Sequence, residues 1–554
     1  MRRKQFLEIT LIFFSSIIYS QSVISPLEIP LNLSGTFGEL RNTHFHTGID
    51  IKTEGKEGLK VKSIKDGYVV WVKINKRGYG KSIYIKHSDG TTSIYAHLKK
   101  FSNEIESYVK KIQYQKKSYE IQNFPNAGDL NFKAGDLIGY SGNTGSSSGP
   151  HLHFEIRDSS TNTPLNPIKF GFDIIDTIKP KINGLYLYKV YDDGNYHLLR
   201  KIEIKEINKD SYIASPIKHS GQLGIGINYY DRQNKTYSKN GIYSINLNIN
   251  NQSIFNYKMD KISFDDKRYL KLLVDYKNWY LKKNKIQKLF THPKSKYSFI
   301  NNSNSKGIFT ILDNKSYTGN ISIEDYNGNK AEVKLTFEGV IKDSLQNISK
   351  KNLINPAYEY NFELNGVTVK FPKKSFYNAV NLEIKNKNDT LDLGKNIHPV
   401  NKSIEINFKV ISNDSLFIKR GFIAKLNKYE NPIFLKTKKT DNIWTVKTTE
   451  LGKYTLAIDT ISPSVKPINF KKDQWINNLK FLKLKVKDDL SGIRSIEGSI
   501  NGSWILFEHE PKNNTISYNF SDNSFPNGKH LLTIELVDLI GNEFLYETVF
   551  FKKY

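Results

Sequence analysis

The 554-residue chain contains no cysteine. Disulfide bridges, thiolate-bound zinc and a lipid-modified cysteine behind an export signal are therefore excluded. Any metal site has to use histidine, aspartate and glutamate side chains. Exported bacterial proteins with large domains fold without disulfides, because their cores are big enough to be stable unaided. The missing cysteines are thus compatible with export and restrict the choice of metal ligands.

Apolar runs long enough to cross a membrane are also missing. The run at residues 6–19 spans about 14 residues and contains Glu8, whereas a membrane-spanning helix needs about 20 apolar residues. It follows the basic residues 2–4 and ends at small or polar side chains, which is typical of a secretory signal peptide. A buried N-terminal helix is the alternative. We expect residues 1–20 to be removed near Ser20, no transmembrane segment in the mature chain, and export to the periplasm or cell envelope, or secretion.

The excess of basic residues is diffuse. Lys and Arg number 82 against 55 Asp and Glu, a net charge of +27, and the lysines occur in every segment. A spread of this kind is typical of a solvated surface. Single-strand nucleic-acid readers combine basic grooves with stacked aromatic residues, and the sequence has no such cluster. We therefore expect no nucleic-acid partner.

The pattern along the chain predicts a mainly all-β protein. In residues 21–175, short β-branched and aromatic runs alternate with glycine turns, as in a compact antiparallel β domain. This pattern is interrupted at 102–132, where Ile105, Tyr108, Val109 and Ile112 recur at helical spacing. We interpret this segment as a partly helical insertion that borders the cleft.

About three β-sandwich domains are expected after residue 175, and two of them repeat. "DTIKPKI", "GIYSI" and "DYNGN" return in the same order as "DTISPSV", "GIRSI" and "DLIGN". The repeat predicts two immunoglobulin-like (Ig-like) sandwiches, at 176–342 and 459–554. Residues 350–458 are rich in strand patterns without the repeat marks, and we predict a sandwich of uncertain type there. None of these segments gathers titratable residues into a motif, and their scattered histidines receive no function.

Histidine is concentrated near the N-terminus: six of the 12 lie between residues 44 and 153. Three patterns stand out, "HFHTGID" with His46 and Asp50, "YAHL" with His97, and "GPHLHFEI" with His151 and His153. In a β-strand, residues 151 and 153 point to the same face. A zinc site that performs chemistry uses three N or O ligands and keeps one position open for water. Five candidate side chains for three ligand positions leave two histidines as acid/base groups, and spacing alone does not separate the two roles.

The region from about 35 to 167 resembles the lysostaphin-type (LytM-like) zinc endopeptidases of the bacterial cell wall. The resemblance rests on "HTGID", "GYGKSIYIKHSDGTTSIYAHL" and "AGDLIGYSGNTGSSSGPHLHFEIR", in that order. It implies one Zn²⁺ per chain bound by His46, Asp50 and His153, and proton transfer by His97 and His151. No other cofactor is expected.

Three further residues of this region lie outside the implied ligand and proton-transfer set. His44 lies outside the matched pattern and is expected to line the cleft or face solvent. His87 follows a strand before a turn, and we expect a structural role. Glu155 shares the strand face of His153 and is a candidate partner that orients this ligand.

The favoured hypothesis is an exported zinc endopeptidase that hydrolyses peptide cross-links of peptidoglycan with a metal-activated water. Its partners would be the stem peptides of peptidoglycan and, through the β-sandwiches, envelope proteins. One alternative is a non-hydrolytic scaffold that binds peptidoglycan or a partner protein. Another keeps the zinc chemistry and directs it to extracellular proteins. The presence of all five candidate residues favours an enzyme, since a pure binding module has no need for them.

Overall fold

A computed structural model describes residues 23–208, 210–301, 305–340 and 353–553. Strand accounts for 47% of the structure and helix for 9%, which confirms the prediction of a mainly β protein. The predicted signal peptide, 1–20, lies outside the described residues. Within the described ranges, the structure has no helix with the length and apolar character needed to cross a bilayer.

Two antiparallel sheets form the N-terminal domain. Strands β1 to β12 span, in chain order, Leu33–Gly35, Ile49–Lys52, Lys60–Lys62, Gly67–Ile74, Lys81–His87, Thr91–Leu98, Lys100–Phe101, Ile121–Asn123, Asn131–Phe132, Leu137–Tyr140, His151–Asp158 and Pro164–Leu165. The larger sheet has the order β1-β2-β11-β6-β5-β4-β8, with β12 beside β11 and β9 beside β4. The smaller sheet has the order β3-β10-β7. Strand β11 is therefore flanked by β2 and β6, and these three strands carry most of the candidate residues.

Helix α1 covers Asn103–Lys116, within the segment where the spacing predicts a helix. Ile105 and Val109 are buried in the domain core, and Tyr108 and Ile112 pack against it partly buried. The four residues predicted to share a helical face thus lie on the core side of α1, as an amphipathic helix requires.

Paired sheets with shared apolar cores make up the rest of the chain. Between 176 and 340 one sheet contains, in spatial order, Tyr196–Ile202, Lys181–Val190, Gly221–Tyr230 and Gln287–Lys288, with Phe309–Ile311 beside Gly221–Tyr230. The other contains Ile204–Asn208, Ser211–Ala214, Lys330–Glu338, Ser316–Glu324, Ser244–Ile249, Gln252–Lys258 and Ile300–Asn301, with Ile217–Lys218 beside Lys330–Glu338. Short helices cover Leu270–Leu273 and Tyr276–Lys282, and 3₁₀ turns cover Pro167–Phe170 and Phe264–Tyr269.

The following segment, 353–458, pairs a sheet of Tyr360–Leu364, Val367–Phe371, Ile404–Lys409, Ile443–Thr448 and Lys438–Thr440 with a sheet of Lys385–Lys387, Thr390–Asp392, Lys453–Ile458, Gly421–Leu426 and Pro432–Phe434. Leu353–Ile354 pairs with Val380–Asn381, and a helix covers Ser415–Arg420. The last segment also contains two sheets. One has, in spatial order, Ser464–Pro467, Phe481–Lys487, Thr515–Asn519 and Glu508–Glu510. The other has Gln474–Trp475, Glu543–Lys552, Gly528–Asp538, Ile493–Ile500 and Ser503–Trp504. A 3₁₀ turn covers Pro511–Asn513. We call this last segment the C-terminal sandwich.

The loop that precedes β2 packs against the β-rich segment of residues 182–337. Phe37, Leu40 and Phe45 are buried in the apolar core that otherwise belongs to residues 182–337. The ring of Phe45 meets that of Phe299 edge-on, with 5.0 Å between the ring centres. His46 is the next residue along the chain, so its position depends on packing outside the N-terminal domain.

The expectation that no titratable residues gather after residue 175 is wrong. The structure brings together two trios of aspartates, each with carboxylate oxygens within 4.8 Å of one another. The first trio is Asp176, Asp231 and Asp325, and the second trio is Asp459, Asp488 and Asp538. Their members are far apart in sequence, and only the tertiary structure makes them neighbours.

Candidate active site

Three neighbouring elements bring His46, Asp50 and His153 to one point. Asp50 lies on β2 and His153 on β11, and the register of the two strands places these residues directly opposite each other. His46 precedes β2 by one turn of loop. Opposed side chains in an antiparallel pair share a face of the sheet, which explains how residues 103 positions apart meet. All three residues are buried, with exposed fractions of 4–6%.

The ligand-type atoms of these residues form a tight triangle. His46 Nε2 lies 3.1 Å from Asp50 Oδ1 and 3.1 Å from His153 Nδ1, and His153 Nδ1 lies 2.8 Å from Asp50 Oδ1. Distances of this size are compatible with one shared ion, because zinc binds nitrogen and oxygen ligands at about 2.0–2.2 Å.

Hydrogen bonds on the far side of each ring decide which nitrogen faces the triangle. His46 Nδ1 lies 2.8 Å from the carbonyl oxygen of Thr36, which only accepts, so this nitrogen carries the proton. His153 Nε2 donates to Glu155 Oε1 at 2.9 Å in the same way. The neutral rings therefore turn bare nitrogens toward the carboxylate of Asp50. Three acceptors this close repel one another unless a cation lies between them, so the residues present fit a bound metal ion.

A proton is the competitor of that cation. Burial disfavours the charged form of His153, but hydrogen bonds with Asp50 and Glu155 outweigh it and raise the pKa of His153 to about 9. A single proton satisfies the contact between His153 and Asp50 only. His46 Nε2 still faces Asp50 Oδ1, whereas a metal ion satisfies all three atoms together.

The second oxygen of Asp50 is engaged elsewhere. Arg41 Nη2 donates to Oδ2 at 2.8 Å, and Arg41 also pairs with Glu39 at 3.4 Å. Burial alone would raise the pKa of Asp50, but the electrostatic interaction with His46 and the hydrogen bonds of the neighbouring histidines hold it well below its usual value. Asp50 is thus an anion that presents one oxygen to the triangle.

Glu155 orients His153, as the strand alternation predicts. It is fully buried, and its Oε2 accepts from Arg157 at 2.7 Å while Oε1 also accepts from Thr47 at 2.7 Å and from the hydroxyl of Tyr79. Burial disfavours its charge, yet Arg157 and His153 outweigh that and lower the pKa of Glu155 to about 2. A permanently ionised Glu155 keeps the proton of His153 on Nε2 and leaves Nδ1 available to a metal ion.

Substitution of Glu155 by glutamine should therefore weaken metal binding. The side chain keeps its shape but loses the charge that fixes the tautomer of His153, and such partners typically contribute 10–100-fold to metal affinity. Competition with a chromogenic zinc chelator measures the change, with Glu104→Gln, an exposed carboxylate on α1, as the matched control. Equal zinc affinity in the two variants would contradict the orienting role.

His97 and His151 lie beside the triangle. Their ring centres are 4.8 Å apart, and the ring of His97 is 5.8 Å from that of His153. His97 Nδ1 donates to the carbonyl oxygen of Thr144 at 2.8 Å, and His151 Nδ1 donates to that of Gly149 at 2.8 Å. The Nε2 atom of each ring is therefore the one available for proton exchange. Nε2 of His151 lies 3.5 Å from Asp50 Oδ1, the carboxylate oxygen that belongs to the triangle.

The surroundings of His97 favour a neutral ring. Burial, together with the nearby His153 and His151, lowers the pKa of His97 to about 3. Its backbone has a φ of 60°, in the left-handed region that residues other than glycine rarely occupy. Backbone strain of this kind is often found at functional sites, where the surrounding structure holds a side chain in place.

The remaining histidines of the region behave as expected. His44 is exposed and contacts Thr43 at 3.1 Å. His87 is buried, with Nδ1 donating to the carbonyl oxygen of Asp66 at 2.8 Å and Nε2 contacting Ser93 at 2.8 Å. Both ring nitrogens of His87 are engaged in holding strands together, which confirms its structural role.

Three residues that the sequence reasoning missed touch the site. Arg41 binds Asp50, and Tyr79 and Arg157 hold Glu155. Arg157 follows Glu155 by two residues on β11, so the same alternation that singles out Glu155 could have found it. Arg41 and Tyr79 come from loops, and no periodicity in the sequence marks them.

The C-terminal sandwich contacts the rim of this site. Lys512 donates to the carbonyl oxygen of Ser147 at 3.2 Å and to that of Asn143, in the loop that holds His97 and His151. Next to it, Lys81 pairs with Glu508 at 3.0 Å. Helix α1 adds an ion pair from Lys110 to Asp522 and an edge-on ring contact from Tyr114 to Trp504, 5.3 Å between ring centres. The insertion thus connects the N-terminal domain to the end of the chain.

Loss of the Glu508 charge should destabilise this contact. Lys81 is buried, with 3% of its side chain exposed, and Glu508→Gln leaves its ammonium without a counter-ion. Removing one partner of a buried pair costs about 3–5 kcal/mol, and we expect the lower end because Glu508 is itself 43% exposed. Thermal unfolding checks this, with Glu543→Gln, an exposed carboxylate of the same sandwich, as control. Equal unfolding temperatures for the two variants would refute it.

Comparison with known proteins agrees with this geometry. Residues 44–114 and 127–167 match Peptidase family M23, and residues 351–459 match the Zu5-like domain. The gap in the first match, 115–126, lies inside the predicted insertion, whereas α1 lies almost wholly within the matched part. The matched region contains His46, Asp50, His97, His151 and His153.

Individual relatives are similar over the same region. DD-carboxypeptidase/endopeptidase Mpg of Neisseria meningitidis is 33% identical over 150 residues, which cover 26% of this chain and 28% of Mpg. Lysostaphin of Staphylococcus simulans is 30% identical over 132 residues, 23% of this chain and 22% of lysostaphin. The murein hydrolase activator NlpD of Salmonella typhimurium is 34% identical over 123 residues, 22% of this chain and 25% of NlpD.

The chain therefore spans less than a third of the length of each of these relatives. The likeness concerns one domain, and it leaves the β-rich segments after residue 175 aside, apart from the Zu5-like match. Within these limits the sequence match and the arrangement of the side chains agree. The chain carries a Peptidase family M23 domain of the LytM/lysostaphin type, with a Zu5-like domain further along.

Proposed function

We propose that the chain is an exported zinc-dependent endopeptidase that hydrolyses peptide cross-links of peptidoglycan. The observation that carries the proposal is the triangle of His46 Nε2, Asp50 Oδ1 and His153 Nδ1 with two more imidazoles beside it. Names of the relatives support the substrate class, since Mpg is a carboxypeptidase/endopeptidase and NlpD an activator of murein hydrolases. Export is supported by the basic start and short apolar run of residues 1–20.

His46, Asp50 and His153 are the proposed ligands of one Zn²⁺. A zinc ion bound by two neutral imidazoles and one carboxylate would keep a net positive charge, and it would lower the pKa of a water molecule to about 7 and polarise a carbonyl. Glu155 and Arg41 hold two of the ligands in the required orientation through their own hydrogen bonds.

His97 and His151 are the proposed acid/base pair. Each ring donates from Nδ1 to a main-chain carbonyl and turns a free Nε2 toward the site. A neutral imidazole accepts a proton from the attacking water, and the imidazolium that results donates one to the leaving amine. The ring that has taken up this proton also stabilises the negative charge that develops on the scissile carbonyl oxygen.

One experiment tests the proposal. The whole mature chain is purified, its zinc content is measured, and the release of muropeptides from cell walls with defined cross-links is followed, with His151→Ala as the inactive control. We expect about one zinc per chain and release by the wild type only. Stoichiometric zinc without release from any wall type would overturn the peptidoglycan assignment.

Two alternatives remain as outcomes of this experiment. A scaffold without hydrolytic activity, which the similarity to an activator protein favours, would bind walls and release nothing. A peptidase directed at extracellular proteins would cleave glycine-rich or other protein substrates and leave walls intact. The five histidine and aspartate residues favour hydrolysis over the scaffold, because binding alone does not need an acid/base pair beside a metal site.

A further inference from the structure

The two aspartate trios occupy equivalent places in the repeated segments. The first residue of each trio belongs to a "DTI" sequence that opens the segment, and the third belongs to the "DYNGN" or "DLIGN" sequence near its end. In each segment an asparagine four residues after the third aspartate connects the loops. Asn329 Nδ2 donates to the carboxylate of Asp325 at 2.7 Å and to the main-chain oxygen of Asp176 at 3.1 Å. Asn542 Nδ2 donates in the same way to the carboxylate of Asp538 at 2.7 Å and to the main-chain oxygen of Asp459 at 2.9 Å. The same arrangement is therefore built twice.

The carboxylates in these trios lack positive partners. Lys and Arg outnumber Asp and Glu by 82 to 55, yet across the described residues none of the six aspartates forms an ion pair with either. Burial and mutual repulsion raise the pKa of Asp231 to about 8 and that of Asp176 to about 6. Grouping these carboxylates costs free energy that a cation would offset.

Buried oxygen atoms without hydrogen-bond donors point into the first trio. Asp231 is 3% exposed, and its Oδ1 has no hydrogen-bond partner within the described part of the chain. Asn240, 4% exposed, lies opposite Asp231 in an isolated β-bridge, so the two side chains share a face. Its Oδ1 also has no hydrogen-bond donor among the described residues. Both line one cavity with Asp176 and Asp325. Leaving a buried acceptor without a donor is unfavourable, and two such acceptors in one cavity indicate a missing ligand.

The second trio shows the same feature. Oδ1 of Asp488 is buried and, like that of Asp231, has no donor among the residues described. Ser491, 5% exposed, donates a hydrogen bond from its main-chain amide to Asp459 at 3.0 Å. Its hydroxyl group has no hydrogen-bond partner among the described residues. Two independent copies of the trio thus leave an acceptor unsatisfied at the corresponding carboxylate.

We propose that each trio binds one Ca²⁺ ion. The donors are oxygens, with three carboxylates that can act as monodentate or bidentate ligands, and calcium takes 6–8 oxygen ligands in flexible geometry. Mg²⁺ demands a regular octahedron and retains several waters, so a site with buried carboxylate oxygens favours calcium. Zinc prefers nitrogen and sulfur ligands, which neither trio contains.

The position of the ions gives them a mechanical role. Asp176 lies in the linker between Pro167–Phe170 and Lys181–Val190, and Asp459 lies between Lys453–Ile458 and Ser464–Pro467. An ion in each trio joins the entry linker of a β-rich segment to two loops of that segment. Since the first of these segments also buries Phe37, Leu40 and Phe45 beside His46, calcium in the first trio stiffens the support of the candidate active site.

Calorimetric titration of the zinc-saturated mature chain with CaCl₂ tests the proposal. We expect two calcium ions per chain, one in Asp231→Asn, one in Asp488→Asn and none in the double variant. Asp313→Asn, an exposed aspartate in the first of the two segments, is the matched control and should keep both ions. Calcium should raise the unfolding temperature of the wild type, and the increase should be lost in the double variant.

Several results would overturn it. Absence of calcium binding up to about 1 mM, the weak end for extracellular calcium modules, would show that the trios hold protons instead. Equal affinity for Mg²⁺ would contradict the assignment to calcium, and unchanged stoichiometry in both single variants would place the ions elsewhere. If one single variant fails to fold, the other still tests its own trio, because the two trios lie in separate segments. The number of calcium ions bound by the wild type then decides whether both trios are sites. Zinc content and muropeptide release are read separately, so failure here leaves the proposed function untouched.

Discussion

Substitution of His153 by alanine will release the metal and abolish hydrolysis. His153 lies directly opposite Asp50 in the strand pair, and its Nδ1 contacts both other atoms of the triangle, at 2.8 and 3.1 Å. Its removal leaves two ligands, too few for a stable zinc site in a protein. We expect zinc below one tenth of the wild-type content, measured by atomic absorption after dialysis, and no muropeptide release above background.

His44→Ala is the matched control for this substitution. His44 lies two residues before His46 but is exposed, so its loss should leave zinc content and activity unchanged. A His153→Ala protein that retains stoichiometric zinc would show that the ligand set is wrong. Zinc lost from both variants would instead indicate that the loop before β2 as a whole had moved.

Substitution of His151 by alanine will abolish turnover and keep the metal. His151 Nε2 lies 3.5 Å from Asp50 Oδ1, close enough to exchange protons near the metal yet outside the triangle. General acid/base groups contribute about 10²–10⁴-fold to rate, and we expect a loss of kcat/KM of about 10³-fold at unchanged zinc content. Initial rates of cleavage of a purified cross-linked muropeptide measure it.

The partner histidine supplies the internal test. His97→Ala should show a similar loss, and the double variant should be little worse than either single one, because residues that act as a unit give non-additive effects. Multiplicative losses in the double variant would mean that the two rings act independently. Zinc absent from His151→Ala would assign this residue to the metal rather than to the proton.

The candidate active site depends on packing outside its own domain. The loop that carries His46 is fixed by three apolar residues in the neighbouring core, and the loop around His97 and His151 is contacted by Lys512. Both contacts join the N-terminal domain to the β-rich segments that follow it in the chain. The whole chain, including these β-rich segments, is therefore the appropriate material for each experiment above.

Much of the site follows from local sequence. Strand alternation puts His151, His153, Glu155 and Arg157 on one face of β11, because side chains alternate with period two. The absence of cysteine confines the metal donors to imidazole and carboxylate. The helical spacing of Ile105, Tyr108, Val109 and Ile112 predicts α1, because the local backbone geometry of a helix sets which residues share a face.

Other features were decided by the tertiary structure alone. The carbonyl oxygens of Thr36 and Thr144 select the tautomers of His46 and His97, and they lie 10 and 47 positions away in the chain. Arg41 and Tyr79 reach the site from loops without periodicity, and each aspartate trio unites residues from three separate parts of the chain. Such contacts depend on where strands pair and loops cross. Local residue preferences therefore determined which side chains the candidate site contains, whereas long-range packing decided which of their atoms face one another.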